Sequence, residues 1–413
     1  MAAPSTPLPT AAQPERLPVL ALVLLASMGF VLLAAETMPA GLLPDIADGL
    51  STSEGLVGQF ISVWALGTVL VTVPAISMTR RFRRKPLLLI AIAGLLIANT
   101  VTALSDIVAL SLISRFIGGA FTGVIWGMLA AYGRRISPAR HAGRSLAIVS
   151  IGAPLGFAFG TPLGAWLGST FHWTWAFGGL TVIGAVVFVL ILAFVPDAPG
   201  QAGSASLPVR TIFALPGVPI VLAVIFAWML GHNTIYTYIA PYLRAGGSGL
   251  APDITLLIYG VASLAGIGLV AVLIDRFPRA LLALSLLLFI GAAAIMLIGN
   301  GSPVVLAVGA VLWGLTFGGA AAQLQSALTG ASGENSDVAN SFLPVAFNLA
   351  IFVAGAAGAL VLGYDDSVVL PLVMAAGGIV ALGLTFIGRR SAFPGRAATT
   401  ASTNSRSSHV PAA

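Results

Sequence analysis

The chain has 413 residues, 58% of them hydrophobic and only 8% charged, with a formal charge of +6 and a mean hydropathy of +1.02. A soluble globule carries about 25% charged residues, so this composition belongs in a bilayer and its structural unit is an apolar run of roughly 20 residues. The absence of cysteine excludes disulfides, thiolate metal sites and thiol redox chemistry, and basic residues that are almost all Arg, clustered between apolar runs, read as a topology signal and not as a nucleic-acid surface.

Residues 1–16 are polar and Pro-rich and are expected to form a cytoplasmic tail. The run after them is too long for a signal-peptide core and lacks a small-residue cleavage site, so it reads as a retained first helix. Six spans are expected in a first half, residues 17–195, at 18–42, 57–78, 87–105, 107–133, 145–168 and 174–195. Residues 196–216, which contain PDAPGQAGSASLP, form a cytoplasmic linker that is flexible by composition. Six more spans fill a second half, residues 217–390, at 217–243, 253–274, 279–299, 303–326, 338–363 and 367–388, before a disordered cytoplasmic tail at 391–413. The expected fold is therefore an all-α membrane protein of twelve transmembrane helices.

The polar breaks alternate in charge. Arg16, the run Arg80, Arg81, Arg83, Arg84 and Lys85, then Arg134, Arg135, Arg140, Arg144, Arg210, Arg276 and Arg279 share one side, which is expected to be cytoplasmic, with both termini. The other side carries Asp45, Asp48, Glu54, Asp106, Asp253, Asp365 and Asp366, with Arg244 its only basic residue. The break at Glu334 and Asp337 has no Lys or Arg, so spans 10 and 11 rest on hydropathy and parity. AISMTRRFRRK, starting at Ala75, has a counterpart in AVLIDRFPR, starting at Ala271, which points to two pseudo-symmetric six-helix bundles.

Two charges lie deep in apolar runs, at Glu36 in span 1 and Arg115 in span 4. Each costs roughly 2.5 to 3.5 kcal/mol on insertion, so such residues mark ion, proton or substrate pathways. Glu36 precedes Asp45 by nine residues and Arg115 follows Asp106 by nine, which sets both about 13 Å from the same end of their helices. The expectation is that Glu36 carries a proton and that Arg115, by ion pair or water-bridged contact, tunes it; the alternative is a fixed structural pair.

His232 lies twelve residues before Arg244, about 18 Å from that face and near the midplane. With Asn233, Tyr236 and Tyr238 it either offers hydrogen bonds to a polar substrate or packs as a satisfied residue. Trp64, Trp126, Trp228 and Trp313 line a cavity or pack between helices, while Trp166, Trp173 and Trp175 fit an interfacial belt. Asn99, Gln323, Gln325 and Asn348 read most simply as helix–helix hydrogen bonders. In span 5, Gly152, Gly156, Gly160, Gly164 and Gly168 recur at every fourth position, a smooth stripe for close helix approach, with a bend point at Pro162. Histidines at 141, 172, 232 and 409 with no HExxH, GxSxG or GxxxxGK(S/T) motif leave no basis for a metalloenzyme, a serine hydrolase or an ATP-driven pump. One chain with a single intramembrane acid is also poor material for a channel filter.

These features resemble the major facilitator superfamily, and within it the bacterial twelve-span drug:proton antiporters similar to arabinose-efflux and chloramphenicol-resistance exporters. AAETMPAGLLPDIADGL (Ala34 to Leu50) resembles that branch's "TEF...GLLP-D/E-IA" pattern and places its acid at Glu36. The loop after span 2 is similar to "GxxxDRxGRR" but has Ala75 for the Gly and Thr79 for the Asp, keeping Arg80, Arg83 and Arg84. LISRFIGGAFTG (Leu112 to Gly123) is similar to "RxxxG", GAPLGFAFGTPLGAWLG (Gly152 to Gly168) to the antiporter signature, GHNTIYTYIAPYL (Gly231 to Leu243) to "YTYI-P-L", and Phe347 with Asn348 to an "FN" pair.

The resemblance implies a monomer that exports a small drug-like molecule through the inner membrane by alternating access. It would be driven by the proton gradient without a bound cofactor or metal, with lipid, substrate and protons as its partners. Export of a sugar, purine or amino acid is the alternative. In this scheme Glu36 and Arg115 couple protons, and His232, Asn233, Tyr236, Tyr238, Trp126 and Asn348 face the substrate. Gly152, Gly156, Gly160, Pro162 and Gly164 form the antiporter helix, while Arg80, Arg83, Arg84, Asp275 and Arg276 form a cytoplasmic gate.

Overall fold

A computed structural model describes residues 16–79, 81–200, 213–215, 217–364 and 367–393. Residues 1–15 and 394–413 of the tails, most of the linker, Arg80, Arg210, Asp365 and Asp366 lie outside the described residues, whereas Ala392 and Phe393, expected in the disordered tail, are buried. All regular structure within them is helical. Twelve helices are long and apolar enough to cross a membrane: Val19–Gly41, Glu54–Thr72, Arg84–Leu104, Val108–Arg135, Ala139–Thr170 and Trp173–Phe194, then Val218–Thr237, Pro252–Leu273, Pro278–Ile298, Pro303–Asn335, Val338–Gly363 and Ser367–Ile387. They are called spans 1 to 12 below. Spans 10 and 11 are present although the break between them carries no basic signal.

The physics of these segments is that of hydrocarbon, where each backbone N–H and C=O must be paired within the chain. Pro252, Pro278 and Pro303 open their helices at the first turn, where a missing N–H costs nothing. Large apolar side chains such as Ile97, Val182, Val186 and Val189 are exposed on the outer faces, as a lipid-facing surface requires. Polar residues are turned inward. Asn99 of span 3 donates to the Phe177 carbonyl (2.8 Å) and to Thr181 (2.9 Å) of span 6, and Gln323 of span 10 donates to Ser285 of span 9 (3.2 Å). Gln325 is exposed, and its side chain makes no hydrogen bond to another helix among the described residues.

Helix partners repeat with a shift of six. Span 4 packs on spans 2 and 3, and span 6 on spans 1 and 3, just as span 10 packs on spans 8 and 9, and span 12 on spans 7 and 9. Span 1 also packs on span 5, as span 7 does on span 11. The two halves meet along spans 2 and 11 and along spans 5 and 8, again a swapped pair. Two six-helix bundles related by pseudo-symmetry result.

The glycine stripe of span 5 finds its partner in span 1. Positions 152, 156, 160, 164 and 168 face Ala26, Phe30, Ala34, Met38 and Leu42, also spaced by four, and a Cβ on any of the five glycines would collide. At Gly156–Gly160 the helix widens into a π turn just before Pro162. A proline cannot donate to the preceding turn, so the bend expected there takes the form of a loosened turn.

The start of the linker is pinned and not free. Asp197 pairs with Arg83 and accepts from the Lys85 N–H (3.0 Å). The Ala198 carbonyl accepts from the Arg84 N–H (2.9 Å), the Pro196 carbonyl from Tyr132 (2.8 Å), and the Pro199 carbonyl from Arg135 (2.6 Å). Partial burial pushes the Asp197 carboxyl up, but these N–H and guanidinium donors outweigh it and hold the group below the usual aspartate range.

Candidate transport site

The helices of spans 1 and 7 break after Thr37 and after Thr237, and the two breaks meet across the halves. In span 1 the α-helix ends at Thr37, a 3-10 turn runs over Met38–Gly41, and a short helix follows at Leu43–Gly49. Pro39 causes this. Without an N–H it cannot bond the Ala35 carbonyl four residues back, and that acceptor needs another donor.

Arg115 supplies it. Its Nη1 donates to the Ala35 carbonyl (2.7 Å), its Nη2 to the Glu36 carbonyl (3.1 Å) and its Nε to the Phe60 carbonyl of span 2 (3.3 Å). The guanidinium lies over the Trp64 ring, 4.1 Å from its centroid, and is fully buried. Positive charge at a helix C-terminus is also favoured by the helix dipole. Gly118 and Gly119, one turn on from Arg115, leave room for Trp64.

Of the contacts left open for Glu36 and Arg115, the direct ion pair is not made, and Arg115 forms a backbone cap. Among the described residues no ion pair joins the two side chains, because the guanidinium is drawn to the carbonyls that Pro39 leaves open. Glu36 is 7% exposed, and its carboxyl accepts no hydrogen bond among the described residues. The neighbouring Thr37 hydroxyl meets Thr161 of span 5 at 2.6 Å, and Tyr236 of span 7 turns its hydroxyl toward this pair without reaching hydrogen-bond geometry.

In the second half His232 is buried, stacked on Phe317 at 3.5 Å, and its Nδ1 accepts from Trp313 Nε1 at 3.0 Å. That bond fixes the tautomer, leaving the proton on Nε2. Tyr236, Tyr259, Trp313 and Phe157 complete an aromatic cluster around the imidazole.

The other expected cavity residues divide. Asn233 donates to its own helix at the Met229 carbonyl (2.8 Å), and Asn348 does so at Pro344 (3.0 Å). Trp126 is half-buried beside Gly29 of span 1. Trp64 and Trp228 are fully buried in packing, as is Trp313. Trp166 and Trp175 are exposed at the helix ends as a belt requires, but Trp173 is buried against Gly49.

Tyr238 is no cavity residue. Its ring is wedged between Gly58 of span 2 and Gly358 of span 11, and its hydroxyl donates to the Gly355 carbonyl (2.7 Å). Gln59 donates to the same carbonyl (3.2 Å), and Glu54 pairs with Arg244 at 2.6 Å. Arg244, the lone basic residue of the acidic end, is there to bridge the halves. These contacts close the acidic end.

Among the described residues, no ion pair of Arg83, Asp275 or Arg276 spans the halves. Arg83 is bound to Asp197 within its own half, the Arg84 backbone is held at Ala198, and Asp275 and Arg276 are exposed with no ion pair among the described residues. Arg80 lies outside the described residues.

Sequence reasoning missed Thr37, Thr161, Phe157, Tyr259 and Phe317 because none differs in type from ordinary packing residues. Pro39, three residues after the buried acid, was the available signal for a break needing a cap. Among the described residues no group of His, Asp or Glu is placed to hold a metal ion.

The geometry agrees with comparisons to known proteins. A chloramphenicol efflux pump of Mycobacterium tuberculosis (strain H37Rv) is 29% identical over 386 residues, covering 88% of this chain and 91% of that one. A Pseudomonas aeruginosa protein described as transcription regulatory protein OpdE is 33% identical over 304 residues, covering 71% and 74%. Among solved structures, the nucleoside transporter NupG aligns with a TM-score of 0.73 at 14% identity, covering 90% of this chain and 99% of that one. The human organic anion transporter MFSD10 aligns with 0.62 at 20%, covering 91% and 99%. These two share the fold. The family model of the Major Facilitator Superfamily matches residues 25–355, and the chain belongs to that superfamily as a membrane transporter and not an enzyme.

Proposed function

We propose that this protein exports a small organic molecule across the cytoplasmic membrane in exchange for protons, with both termini in the cytoplasm. The observation that carries the reading is the engagement of all three Arg115 guanidinium nitrogens with backbone carbonyls, which leaves the buried Glu36 carboxyl without a partner of its own. A buried carboxylate without a partner is costly, whereas the neutral acid is tolerated. A cycle in which Glu36 is protonated when occluded and ionised when hydrated therefore ties one proton to each conformational change. Similarity to chloramphenicol efflux pumps over most of the chain supports export of a drug-like molecule.

The test is export of chloramphenicol and a panel of antibiotics from an efflux-deficient strain, with and without a protonophore, for wild type and Glu36→Gln. Wild type is expected to lower accumulation only when a proton gradient is present, and Glu36→Gln to lose active export while keeping energy-independent exchange. Full proton-driven export by Glu36→Gln would reject the carrier role.

A further inference from the structure

Among the described residues, the ring contacts between the two halves all involve Phe157. It lies in the π turn Gly156–Gly160 of span 5. Its ring centroid is 4.8 Å from Tyr236, 5.6 Å from Tyr259 and 6.1 Å from His232, all in the second half. Beside it Tyr236 is 1% exposed, and its buried hydroxyl has no hydrogen-bond partner among the described residues, although Thr37, Thr161 and Glu36 are close by. A buried phenol hydroxyl left without a partner is costly and marks a place where a polar group belongs.

Building on the exporter reading, we infer that Phe157 holds the place of the substrate's own ring. An uncharged aromatic molecule bearing a hydroxyl or amide binds with its ring among Tyr236, Tyr259 and His232 and its polar group on the Tyr236 hydroxyl, once Phe157 withdraws. The ring class follows from the walls, which offer π faces and edges at stacking distances. The absence of charge follows from the walls: Tyr236, Tyr259 and His232 offer no ion pair, and all three Arg115 guanidinium nitrogens are already engaged with carbonyls. Phe157 itself lies inside the π turn, a loosened turn whose rearrangement would move its ring.

The experiment uses the purified full-length protein and 4-nitrobenzyl alcohol, a nitroaromatic quencher, with cyclohexylmethanol as the matched compound without an aromatic ring. Trp313, 4.3 Å from Tyr259, is the reporter. Saturable quenching is expected and should be largely lost in Trp313→Phe. Phe157→Ala should tighten binding about ten-fold and Tyr236→Phe weaken it about ten-fold, the scale of one displaced contact or one hydrogen bond.

Phe157→Leu, which keeps bulk but not the ring, should fall between wild type and Phe157→Ala and serves if Phe157→Ala does not fold. No saturable quenching, competition by cyclohexylmethanol equal to that of the ring compound, or unchanged affinity in the Phe157 variants would each overturn the assignment. Flux in proteoliposomes separates the two readings. Binding that follows these expectations without proton-linked flux removes the exporter reading alone, and proton-linked flux with binding indifferent to Phe157 and Tyr236 removes this site alone.

Discussion

The two halves repeat one construction with opposite chemistry. The offset that relates Ala75 to Ala271 also relates Glu36 to His232, and in each half a side chain from the fourth helix secures the first: Arg115 donates to the backbone around Glu36, and Trp313 donates to His232. The first half thus buries a charge and the second a neutral stacked ring. A duplicated scaffold has kept its geometry and divided the labour, placing an ionisable group against span 1 and an aromatic surface against span 7.

Removing each fourth-helix donor tests this contrast. Arg115→Ala strands the Ala35 and Glu36 carbonyls, and at about 1–3 kcal/mol for each unsatisfied buried group the loss should reach about 2–6 kcal/mol, read as a lower unfolding temperature in detergent. Arg115→Lys keeps the charge but not the fork and should recover only part. Equal stability of Arg115→Ala and wild type would remove the capping argument. Trp313→Phe loses one hydrogen bond to a neutral ring and should cost less, about 1–2 kcal/mol; a larger loss than at Arg115 would invert the comparison.

Within the first half, a tight helix contact and an open helix face can be separated by glycine substitutions. A Cβ at Gly156 would lie 2.7 Å from the Phe30 carbonyl, whereas nothing lies within 4 Å of one at Gly178. Gly156→Ala should therefore destabilise by about 1–3 kcal/mol through overpacking, and Gly178→Ala should be neutral or slightly stabilising by about 0.5–1 kcal/mol from helix propensity. Equal effects in the same unfolding assay would show that the stripe is not a tight interface.

The smallest effects belong to exposed charges. Glu54→Gln should change stability by no more than about 1 kcal/mol, and less at high salt, because Arg244 is largely solvated. For Asp197, whose folded carboxyl titrates below its unfolded value of 3.8, stabilisation is complete above that value and lost as pH falls through the lower folded one. Asp197→Asn should remove this acid-side loss in a pH series of unfolding temperatures.

Much of the architecture was legible because a bilayer allows so few solutions: apolar length set the spans, and the glycine spacing of span 5 announced a close helix neighbour. The site was only half legible. Glu36, Arg115 and His232 stood out as polar groups in apolar runs, but their partners are backbone carbonyls and rings, which carry no distinctive residue type. Tyr238 read as a cavity residue from its neighbours in sequence, yet one residue beyond the end of the span 7 helix it turns toward spans 2 and 11 and closes the acidic end.

By itself the chain determined that it has twelve spans and which charges are buried, since both follow from local hydropathy and the cost of desolvation. Tertiary structure decided what each buried group touches. Arg115 chose carbonyls over a carboxylate because a distant helix brought it the acceptors that Pro39 left open, and a contact of that kind exists only once the helices have been assembled.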